Sequence, residues 1–368
     1  MRVALVHDYL NQAGGAEKVV EVFCEMFPTA PLYTSVFDPD AMPDVWRRVT
    51  VHTTFMQRIS PKLNIAKRLL PLYPRAFESL DLSGYDLVLS SCSTFSKGVV
   101  TVPETLHVCY CHNTTRYAWM YHEYVAHEGL GVLERAVLPT LVSRLRTWDY
   151  AAAQRPDHYV ANSRTTARRI AKYYRRQSII IEPPIRTAEF AGGSGRIEPY
   201  FLIVSRLQSY KRLDLAIVAA NRLGIPLRII GRGPDEARLR ALAGPTVEFL
   251  GRISDEERVC LLQRCSALLV PGREDFGMVS LEAQAAGRPV VAFGAGGSLE
   301  TVIESKTGAF FQEQTVECLQ QALHAFDPGA YDGEECRANA RRFDVSRFSA
   351  RLRSYLETLL AAHHESLR

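Results

Sequence analysis

Ala267-Leu-Leu-Val-Pro-Gly-Arg-Glu-Asp-Phe-Gly-Met-Val-Ser-Leu-Glu282 carries three signals in succession. The apolar run that ends at Pro271 predicts a buried strand of the kind found in parallel sheets. A short loop with Gly272 and Gly277 follows, and the sequence then predicts a helix over residues 280–286. The first amides of a helix lack intrahelical partners and carry positive partial charge, so this loop and helix start suit a phosphate or sugar hydroxyls.

Two acidic residues lie in this segment, Glu274 in the loop and Glu282 on the predicted helix. At this spacing their carboxylates can reach different parts of one elongated ligand that lies across the helix start. The same pattern also fits a helix that merely contains acidic residues. The two carboxylates alone do not decide between a ligand site and an ordinary helix.

The rest of the chain repeats the alternation of short apolar runs with helix signals, in two separate series. The Gly-rich segment 191–195 is typical of a linker, and we place the domain boundary within residues 183–197. The predicted domains are 1–183 and 184–345, with a final helix over residues 346–368 that returns to the first domain. Two such series predict an α/β fold of two doubly wound, Rossmann-like domains that face each other across a cleft.

The first domain offers polar residues where two of its predicted strands end. Gly14 and Gly15 follow the strand at residues 3–6 and precede a helix, which is the sequence form of an anion cradle. This is not the G-x-G-x-x-G fingerprint of dinucleotide-binding domains, and for the pair alone a tight turn without a ligand is the simpler explanation. His112 ends a strand at residues 106–112, and open α/β sheets bind ligands beside such ends, so we expect His112 to face the crevice.

Composition indicates an ordinary globular protein: of 368 residues, 47% are hydrophobic and 23% are charged, with a net charge of +4. So mild a charge does not indicate nucleic-acid binding. The eight cysteines form no regular framework, which favours a reduced, intracellular protein. Neither a signal peptide nor a membrane-spanning run is visible, so we expect a cytoplasmic location.

Two groups of residues resemble metal sites superficially. Cys109, Cys111 and His112 match no common zinc spacing, and their surroundings indicate the end of a buried strand. Asp38-Pro39-Asp40 has the D-x-D form that metal-dependent sugar transferases of another fold use, but it stands in a Pro-containing turn. We therefore predict no metal and no other cofactor.

Two basic segments raise the question of a membrane surface. Residues 62–77 alternate Lys and Arg with apolar residues, and Pro71 and Pro74 interrupt them. A helix predicted over residues 164–176 repeats a basic residue every four positions, so that these residues share one face. Each segment fits a peripheral contact with an anionic membrane at the inner face of the cell, and each also fits packing on the protein or a solvated face. The sequence leaves these alternatives open.

Basic residues and glycine turns follow successive strands of the second domain: Arg206, Lys211, Gly231 and Gly233. Because parallel strands end at one edge of a sheet, these groups should meet the acidic segment there. Two cations, open helix starts and two carboxylates suit a nucleoside diphosphate that carries a hydroxyl-rich group. In this interpretation the cations neutralise the diphosphate, Glu282 binds the ribose and Glu274 binds the sugar.

These residues resemble those of family 4 retaining glycosyltransferases, which use nucleotide sugars and have the GT-B fold. The matching motifs run through nearly the whole chain in the expected order: Gly14-Gly15-Ala-Glu17, Ser205-Arg206-x4-Lys211, Gly231-x-Gly233-Pro234, Gly251, Glu274-Asp-Phe-Gly277-x4-Glu282, Gly287-x-Pro289 and Gly296-Gly297-x2-Glu300. The resemblance implies a metal-independent transfer with retained configuration at the anomeric carbon.

The resemblance also implies roles for individual residues. The predicted catalytic residues are Arg206 and Lys211, which would stabilise the leaving diphosphate, Glu274, which would hold the sugar, and His112, which would line the donor sugar near its anomeric carbon. The predicted donor-binding residues are Gly14, Gly15, Gly231, Gly233, Arg252, Ile253, Asp275, Phe276, Gly277, Met278, Val279 and Glu282. The acceptor-side candidates follow His112 along the chain: Asn113, Arg116, Tyr117 and Trp119.

The first domain resembles that of bacterial surface-polysaccharide mannosyltransferases through residues 82–91, Lys97-Gly98 and the run 110–119. We therefore predict transfer of a hexose, mannose from GDP-mannose, to a saccharide or polyprenyl-diphosphate-linked saccharide in bacterial polysaccharide biosynthesis. Asn113-Thr114-Thr115 departs from a Pro-containing form, and Met120 stands where an acidic residue is common. Three alternatives stay open: a UDP-sugar transferase (glucose, galactose or N-acetylhexosamine), a nucleotide-sugar 2-epimerase, and a nucleotide-sugar-binding protein without activity.

Overall fold

The computed structural model describes residues 1–59, 69–121, 132–192 and 196–368. The chain divides into two compact units. The first unit consists of Met1–Pro183 together with Phe348–Arg368, and the second of Pro184–Arg347. Each unit has its own parallel sheet with helices, which confirms the predicted α/β class.

The first unit contains a seven-stranded sheet in the order β3-β2-β1-β4-β5-β6-β7, and every neighbouring pair is parallel. Its strands are β1 Val3–His7, β2 Leu32–Thr34, β3 Val51–Thr53, β4 Leu87–Cys92, β5 Leu106–Cys111, β6 His158–Ala161 and β7 Ile179–Ile180. Its described helices are α1 Gly15–Met26, α2 Met56–Ile59, α3 Tyr73–Glu78, α4 Arg116–Trp119, α5 Val132–Ala152 and α6 Arg164–Arg169.

The second unit contains a six-stranded sheet in the order β10-β9-β8-β11-β12-β13, again with parallel neighbours throughout. Its strands are β8 Phe201–Val204, β9 Leu227–Ile230, β10 Val247–Gly251, β11 Ala267–Val270, β12 Val290–Phe293 and β13 Gly308–Phe311. Its helices are α7 Leu213–Leu223, α8 Glu236–Leu242, α9 Asp255–Arg264, α10 Met278–Ala285, α11 Ser298–Thr301, α12 Val316–Ala325 and α13 Gly333–Arg341. The last helix, α14 Val345–Ser366, starts in this unit, and its residues from Phe348 onward belong to the first.

Strand β11 of the second sheet is buried along its whole length, which explains why its sequence is a continuous apolar run. In β11, Leu268 and Val270 pack into one core cluster, whereas Ala267 and Leu269 pack into the other. This is the two-residue alternation of a strand, with an apolar side chain at every position because helices cover both sides. Leu281 of α10 belongs to the first cluster, so the helix is anchored beside the strand that precedes it. The loops after these strands therefore meet at one edge of the sheet.

The helix predicted over residues 164–176 is wrong in its second half. Helix α6 ends at Arg169, a π-helical turn covers Ile170–Tyr174, and Arg175 has a left-handed backbone with φ of 57°. A π turn holds more residues than an α turn, so the four-residue spacing of the basic side chains does not keep them on one face. The guanidinium group of Arg176 donates to the backbone carbonyls of residues 154, 156 and 157, and thus turns toward the protein.

Of the other basic segment, residues 62–68 lie outside the described residues. The remainder forms a 3-10 turn, Leu70–Leu72, and then α3, whose Tyr73 and Phe77 are buried in a core cluster of the first unit. This part of the segment therefore packs on its own unit. No helix within the described ranges has the length and apolar content that crossing a membrane requires.

Three local predictions concern the start of α10, the Gly-rich segment and the D-x-D sequence. Helix α10 starts at Met278, two positions before the predicted start, because Gly277 takes a left-handed backbone with φ of 97° and ends the loop there. Residues 193–195 of the Gly-rich segment lie outside the described residues, and Phe190, just before that segment, is buried in the core of the second unit. The D-x-D sequence is a turn as expected, since the Asp40 amide donates to the Asp38 carboxylate at 3.2 Å.

Candidate functional site

The carboxyl edge of the second sheet brings Lys211 and Glu274 together. Lys211 lies in a 3-10 turn, Ser209–Lys211, that follows β8, and Glu274 lies in the loop that follows β11. The Lys211 Nζ atom donates to both carboxylate oxygens of Glu274, at 2.6 and 2.7 Å. Their side chains are 14% and 20% exposed, so the pair remains open to solvent on one side. Two residues that the sequence assigned to different parts of a ligand thus form one ion pair.

The loop that carries Glu274 is held by close backbone contacts. Gly272 lies so near the backbone of Lys211 that an added Cβ would be 2.7 Å from its carbonyl oxygen. On the other side, the Gly297 amide donates to the Glu274 carbonyl at 2.8 Å, and Glu274 forms a parallel bridge with Gly296. Phe276 anchors the loop, since its ring is buried against Phe343 with centroids 5.7 Å apart. The Phe276 ring is therefore used for packing, and a donor contact of residues 276–278 stays a prediction.

Tyr210 connects the two predicted phosphate-binding cations, and the sequence analysis did not single it out. Arg206 is exposed, and its guanidinium group donates to the Tyr210 hydroxyl at 3.4 Å. The Lys211 Nζ atom lies 5.3 Å from the centre of the same ring, within the range of a cation–π contact. Its position between Arg206 and Lys211 in the sequence is the signal that could have found it.

Glu282, the predicted ribose ligand, is buried in the second turn of α10 and forms an ion pair with Arg258 of α9. Arg258 also donates to Asp255 at 3.1 Å. Burial opposes the charge of Arg258, but the two carboxylates raise the pKa of its guanidinium group above the ordinary value. Arg258 is a functional candidate that sequence reasoning missed, because nothing local links α9 to Glu282.

Gly231 and Gly233, in the loop that follows β9, pack against the backbone of a neighbouring loop. An added Cβ at Gly231, whose φ is 136°, would lie 1.9 Å from the Ser205 carbonyl oxygen, and one at Gly233 would lie 2.1 Å from the Leu207 carbonyl oxygen. These contacts hold the loop after β9 against the loop that carries Arg206. Close backbone packing therefore explains the need for glycine at both positions, whether or not the glycines also contact a ligand. The other predicted donor residues vary in exposure: Arg252 is exposed, Ile253, Met278 and Val279 pack against the core, and Asp275 and Gly277 are half-buried.

In the first unit, the predicted glycine pair starts helix α1. Gly14 is the N-cap with an extended backbone, and Gly15, which is exposed, is the first helical residue. An added Cβ at Gly14 would lie 2.8 Å from the Glu17 Oε2 atom, so Gly14 also makes room for a buried carboxylate. Glu17 in turn approaches His7 at the end of β1, with 3.5 Å between Oε1 and Nε2.

His112 lies one residue beyond β5 and is buried. Its Nε2 atom is 2.8 Å from the Ser91 hydroxyl at the end of β4, and its carbonyl oxygen accepts from Thr166 at 3.2 Å. Asn113, an acceptor-side candidate, is also buried, and its side-chain oxygen accepts from Arg169 at 2.9 Å. The carboxyl end of β5 is therefore tied to helix α6.

A buried ion pair positions Trp119, one of the remaining acceptor-side candidates. Lys97 and Asp149 are both buried, with 2.6 Å between Nζ and Oδ1. Trp119 donates its indole N–H to the other oxygen of Asp149 at 2.6 Å and stacks on Tyr173. These bonds fix the orientation of Trp119. The other two acceptor-side candidates, Arg116 and Tyr117, are half-buried in α4.

The cysteines beside His112 are packed in the core. Cys109 and Cys111 belong to a core cluster of the first unit, and burial raises the pKa of both thiols well above the ordinary value. Thiols of this kind stay protonated and are poor metal ligands. In the described part of the chain, no three His, Cys, Asp or Glu side chains converge as they would around a metal ion.

Comparison with a solved structure identifies the class of fold. The chain matches a sucrose-phosphate synthase from Thermosynechococcus elongatus with a TM-score of 0.77 at 18% identity, over 98% of this chain and 100% of that one. The fold is therefore GT-B, the class that the sequence predicts.

Comparison of sequences identifies the family. Residues 185–342 match the family described as Glycosyl transferases group 1, and this part of the chain belongs to that family. The chain is 26% identical to the O-antigen chain mannosyltransferase C of Escherichia coli over 222 residues, which cover 56% of this chain and 58% of that protein. It is 36% identical to the glycogen synthase of Mycobacterium tuberculosis over 168 residues, which cover 42% of this chain and 40% of that protein. The chain thus spans about half the length of these curated relatives.

Proposed function

We propose that this protein is a retaining glycosyltransferase that moves mannose from GDP-mannose to a saccharide or polyprenyl-diphosphate-linked saccharide acceptor. The observation that carries the proposal is the pairing of Lys211 with Glu274 at the edge of the second sheet, within the part of the chain that belongs to the group 1 family. This pair offers a cation to a diphosphate and, beside it, a carboxylate to the hydroxyls of a sugar. The likeness to an O-antigen chain mannosyltransferase supports mannose and a polysaccharide product.

The proposed transfer breaks the bond between the anomeric carbon and the diphosphate oxygen, and it forms a bond from that carbon to an acceptor oxygen. Negative charge accumulates on the leaving diphosphate, where Arg206 and Lys211 neutralise it. The proton of the acceptor hydroxyl passes to an oxygen of the leaving phosphate. Electrostatic stabilisation of this kind is usually the largest single contribution to rate, and loss of one such group costs on the order of 10²–10³ in kcat.

Three further contacts complete the proposed donor site. Glu282 accepts from the ribose hydroxyls, and the backbone amides at the start of α10 bind the sugar. His112 contacts the donor sugar near its anomeric carbon, with Asn113, Arg116, Tyr117 and Trp119 on the acceptor side. The site works without a metal or any other cofactor.

A transfer assay tests the proposal directly. The purified protein is incubated with radiolabelled GDP-mannose and extracted lipid-linked saccharides, and the product is analysed for a new α- or β-mannosidic bond. We expect a product with the anomeric configuration of the donor. Transfer should fall roughly 10²-fold or more in Lys211→Ala and Glu274→Ala. A trapped mannosyl adduct on Glu274 would contradict the proposed mechanism, and release of an isomerised sugar from the donor alone would indicate an epimerase instead.

A second candidate donor is a UDP-sugar, and the likeness to a glycogen synthase favours it. A thermal-shift screen separates the two donors before any acceptor is known. At ~100-fold excess over Kd, a ligand adds about 2.7 kcal/mol to the stability of the folded state. For a unit of this size that corresponds to a rise in Tm of roughly 5–10 °C. GDP-mannose should give this shift, and a shift with UDP-glucose alone would assign the second candidate.

A peripheral contact with an anionic membrane is a separate part of the proposal. The segment 164–176 would supply this contact with its exposed basic residues, Arg164, Arg168, Lys172 and Arg175. Flotation with vesicles that contain phosphatidylglycerol tests this contact. Neutral substitutions at Arg164, Arg168 and Lys172 should reduce flotation, and equal flotation by the variant would assign these residues to a solvated face.

A further inference from the structure

A chain of buried polar side chains leads to His112 through the interior of the first unit. His112 Nε2 lies 2.8 Å from Ser91 Oγ, and Ser91 Oγ lies 3.1 Å from His7 Nδ1. His7 Nε2 is in turn 3.5 Å from the carboxylate of Glu17, an ion-pair distance. All four side chains are buried, with exposed fractions of 2–8% for His7, Glu17 and His112 and 1% for Ser91. Burial of so many polar groups is costly unless they bond to each other, so their alignment needs an explanation.

The sheet itself aligns the chain. In the parallel register, His7 of β1 is paired with Ser91 of β4, and Ser91 with Tyr110 of β5. Side chains two positions apart share a face of a strand, so His112 continues the face of Tyr110. Helix α1 covers this face, since Phe23 packs edge-on against Tyr110 with ring centroids 5.6 Å apart. Glu17 lies in the first turn of α1, where the helix dipole favours a carboxylate.

The hydrogen positions along the chain follow from its acceptors. His7 Nδ1 lies 3.1 Å from the Ser91 carbonyl oxygen, which can only accept, so the proton of His7 is on Nδ1. Its Nε2 faces a carboxylate, which also favours an N–H. Although burial alone lowers the pKa of His7, Glu17 raises it above the ordinary value overall, as expected if both nitrogens carry protons.

This arrangement determines what Ser91 presents to His112. The Ser91 oxygen lies within reach of the His7 N–H, so it acts as an acceptor on that side. Its own hydroxyl hydrogen is then directed to His112 Nε2, which must accept it through a lone pair. The remaining proton of a neutral His112 is on Nδ1.

We propose that Glu17, His7 and Ser91 are positioning residues that hold His112 as the Nδ1–H tautomer, with Nε2 as the acceptor of the Ser91 hydroxyl. The inference rests on the proposed function, which assigns His112 to the donor sugar. The same relation holds in other enzymes, where the bond made by one ring nitrogen of a histidine sets the state of the other.

The same unit contains a matched pair that lacks this connection. Ser90, next to Ser91 but on the opposite face of β4, bonds to His107 Nε2 at 2.8 Å, and both residues are fully buried. Burial lowers the pKa of His107 to about 3, and no carboxylate contributes to this pKa shift. Ser90→Ala therefore removes an equivalent serine–histidine bond without touching His112.

The tautomer of His112 is measured by ¹⁵N–¹H correlation of the imidazole groups in the full-length protein, and the His112→Gln variant assigns its signal. We expect a protonated, pyrrole-type Nδ1 and a pyridine-type Nε2 for His112 at neutral pH. Ser91→Ala should shift the signal toward the Nε2–H tautomer, and Ser90→Ala should not. His7→Asn, whose side-chain amide can replace the Nδ1–H donor, should retain more of the native signal than His7→Leu.

Steady-state kinetics provide the second readout. In Ser91→Ala we expect kcat to fall roughly tenfold or more, a part of the roughly 10²–10³ that one preorganised hydrogen-bond donor contributes, while the KM for the donor changes by less than about threefold. Ser90→Ala should lose comparable stability and retain kcat. A native His112 with the proton on Nε2, or a Ser91→Ala variant with native tautomer and kcat, would overturn the inference. If the wild-type protein transfers no sugar, the proposed function fails. The tautomer measurement alone then tests whether Glu17, His7 and Ser91 set the state of His112.

Discussion

If a bound diphosphate takes Lys211 away from Glu274, the Glu274→Gln variant should bind a nucleoside diphosphate more tightly than the wild type does. In the structure both oxygens of Glu274 bind the Lys211 ammonium, at 2.6 and 2.7 Å. A nucleoside diphosphate without its sugar gains Lys211 only after it displaces this carboxylate. It also brings negative charge close to the charge of Glu274. Removal of that charge should therefore make a nucleoside diphosphate bind more tightly, although the complete donor loses a contact to its sugar.

The expected magnitude follows from the exposure of the pair. Exposed ion pairs contribute about 0–1 kcal/mol, and disruption of fully buried ones costs about 3–5 kcal/mol. The Lys211 and Glu274 side chains are 14% and 20% exposed, so we expect the net contribution to lie between these limits, at about 1–2 kcal/mol. Since 1.4 kcal/mol corresponds to a factor of ten, Glu274→Gln should lower the Kd of GDP roughly 5–30-fold.

Isothermal titration calorimetry of GDP and UDP measures this effect in the wild type, Glu274→Gln, Lys211→Met and the double variant. The double variant should bind as weakly as Lys211→Met, because the gain from Glu274→Gln acts through Lys211. Glu335→Gln is the matched control. Glu335 is half-exposed and lies 3.9 Å from Lys306, so its loss should leave the Kd unchanged.

The kinetics of the same variants separate the two roles of Glu274. With the nucleotide-sugar donor, Glu274→Gln should lower kcat roughly 10²-fold even though GDP binds better and inhibits more strongly. Equal or weaker binding of GDP by Glu274→Gln would refute the exchange of Lys211. The same conclusion would follow if the double variant bound GDP as tightly as Glu274→Gln.

Three further predictions concern stability. Arg258→Met leaves the buried carboxylate of Glu282 unpaired and should cost about 3 kcal/mol, seen by calorimetry as a Tm lower by on the order of 10 °C. Gly297→Ala would place a Cβ 2.2 Å from the Phe276 Cα, and since the φ of Gly297 is an ordinary −67°, any loss of Tm and transfer is purely steric. Burial lowers the pKa of His107 to about 3, whereas an unfolded histidine titrates near ~6.5. Between these two values only the unfolded chain binds a proton at this residue, so protonation favours unfolding. The free energy of unfolding should therefore decline from about pH 6.5 toward pH 3, by up to ~1.4 kcal/mol per pH unit. Urea unfolding at pH 7 and 5 should show a smaller decline in His107→Gln.

The sheet and its edge were predictable because their signals are local. Four apolar residues in β11 with a loop and helix behind them indicate a parallel strand buried on both sides, and the structure places alternate residues in two core clusters. Since all parallel strands end at one edge, the loops with Lys211 and Glu274 had to meet there. Their direct pairing did not follow from this argument, because it depends on the close approach of Gly272 to the backbone of Lys211.

The partners of the buried charges were not predictable, because each pairing joins distant parts of the chain. Arg258 reaches Glu282 from a different helix, and Lys97 reaches Asp149 across 52 positions. The π turn after α6 was missed for a different reason: the spacing of the basic residues fits an α-helix, and only the tertiary environment shows that Arg176 turns inward. By contrast, the His7–Ser91 contact could have been inferred, since His7 ends β1 and Ser91 lies one residue before the end of the adjacent parallel strand β4.

The buried state of each acidic residue indicates how it can serve a ligand. The Glu274 side chain is 20% exposed and that of Lys211 14%, so Glu274 can exchange this partner for a sugar hydroxyl. Glu282 is 4% exposed and Arg258 11%, so release of that partner would cost several kcal/mol, about the value for a broken buried pair. Arg258 donates to the Oε2 atom of Glu282, and a carboxylate accepts at about four positions, so the guanidinium bond does not exhaust it. Arg258 should therefore stay in place when a ribose binds, fixing the carboxylate in one orientation, whereas Lys211 should move.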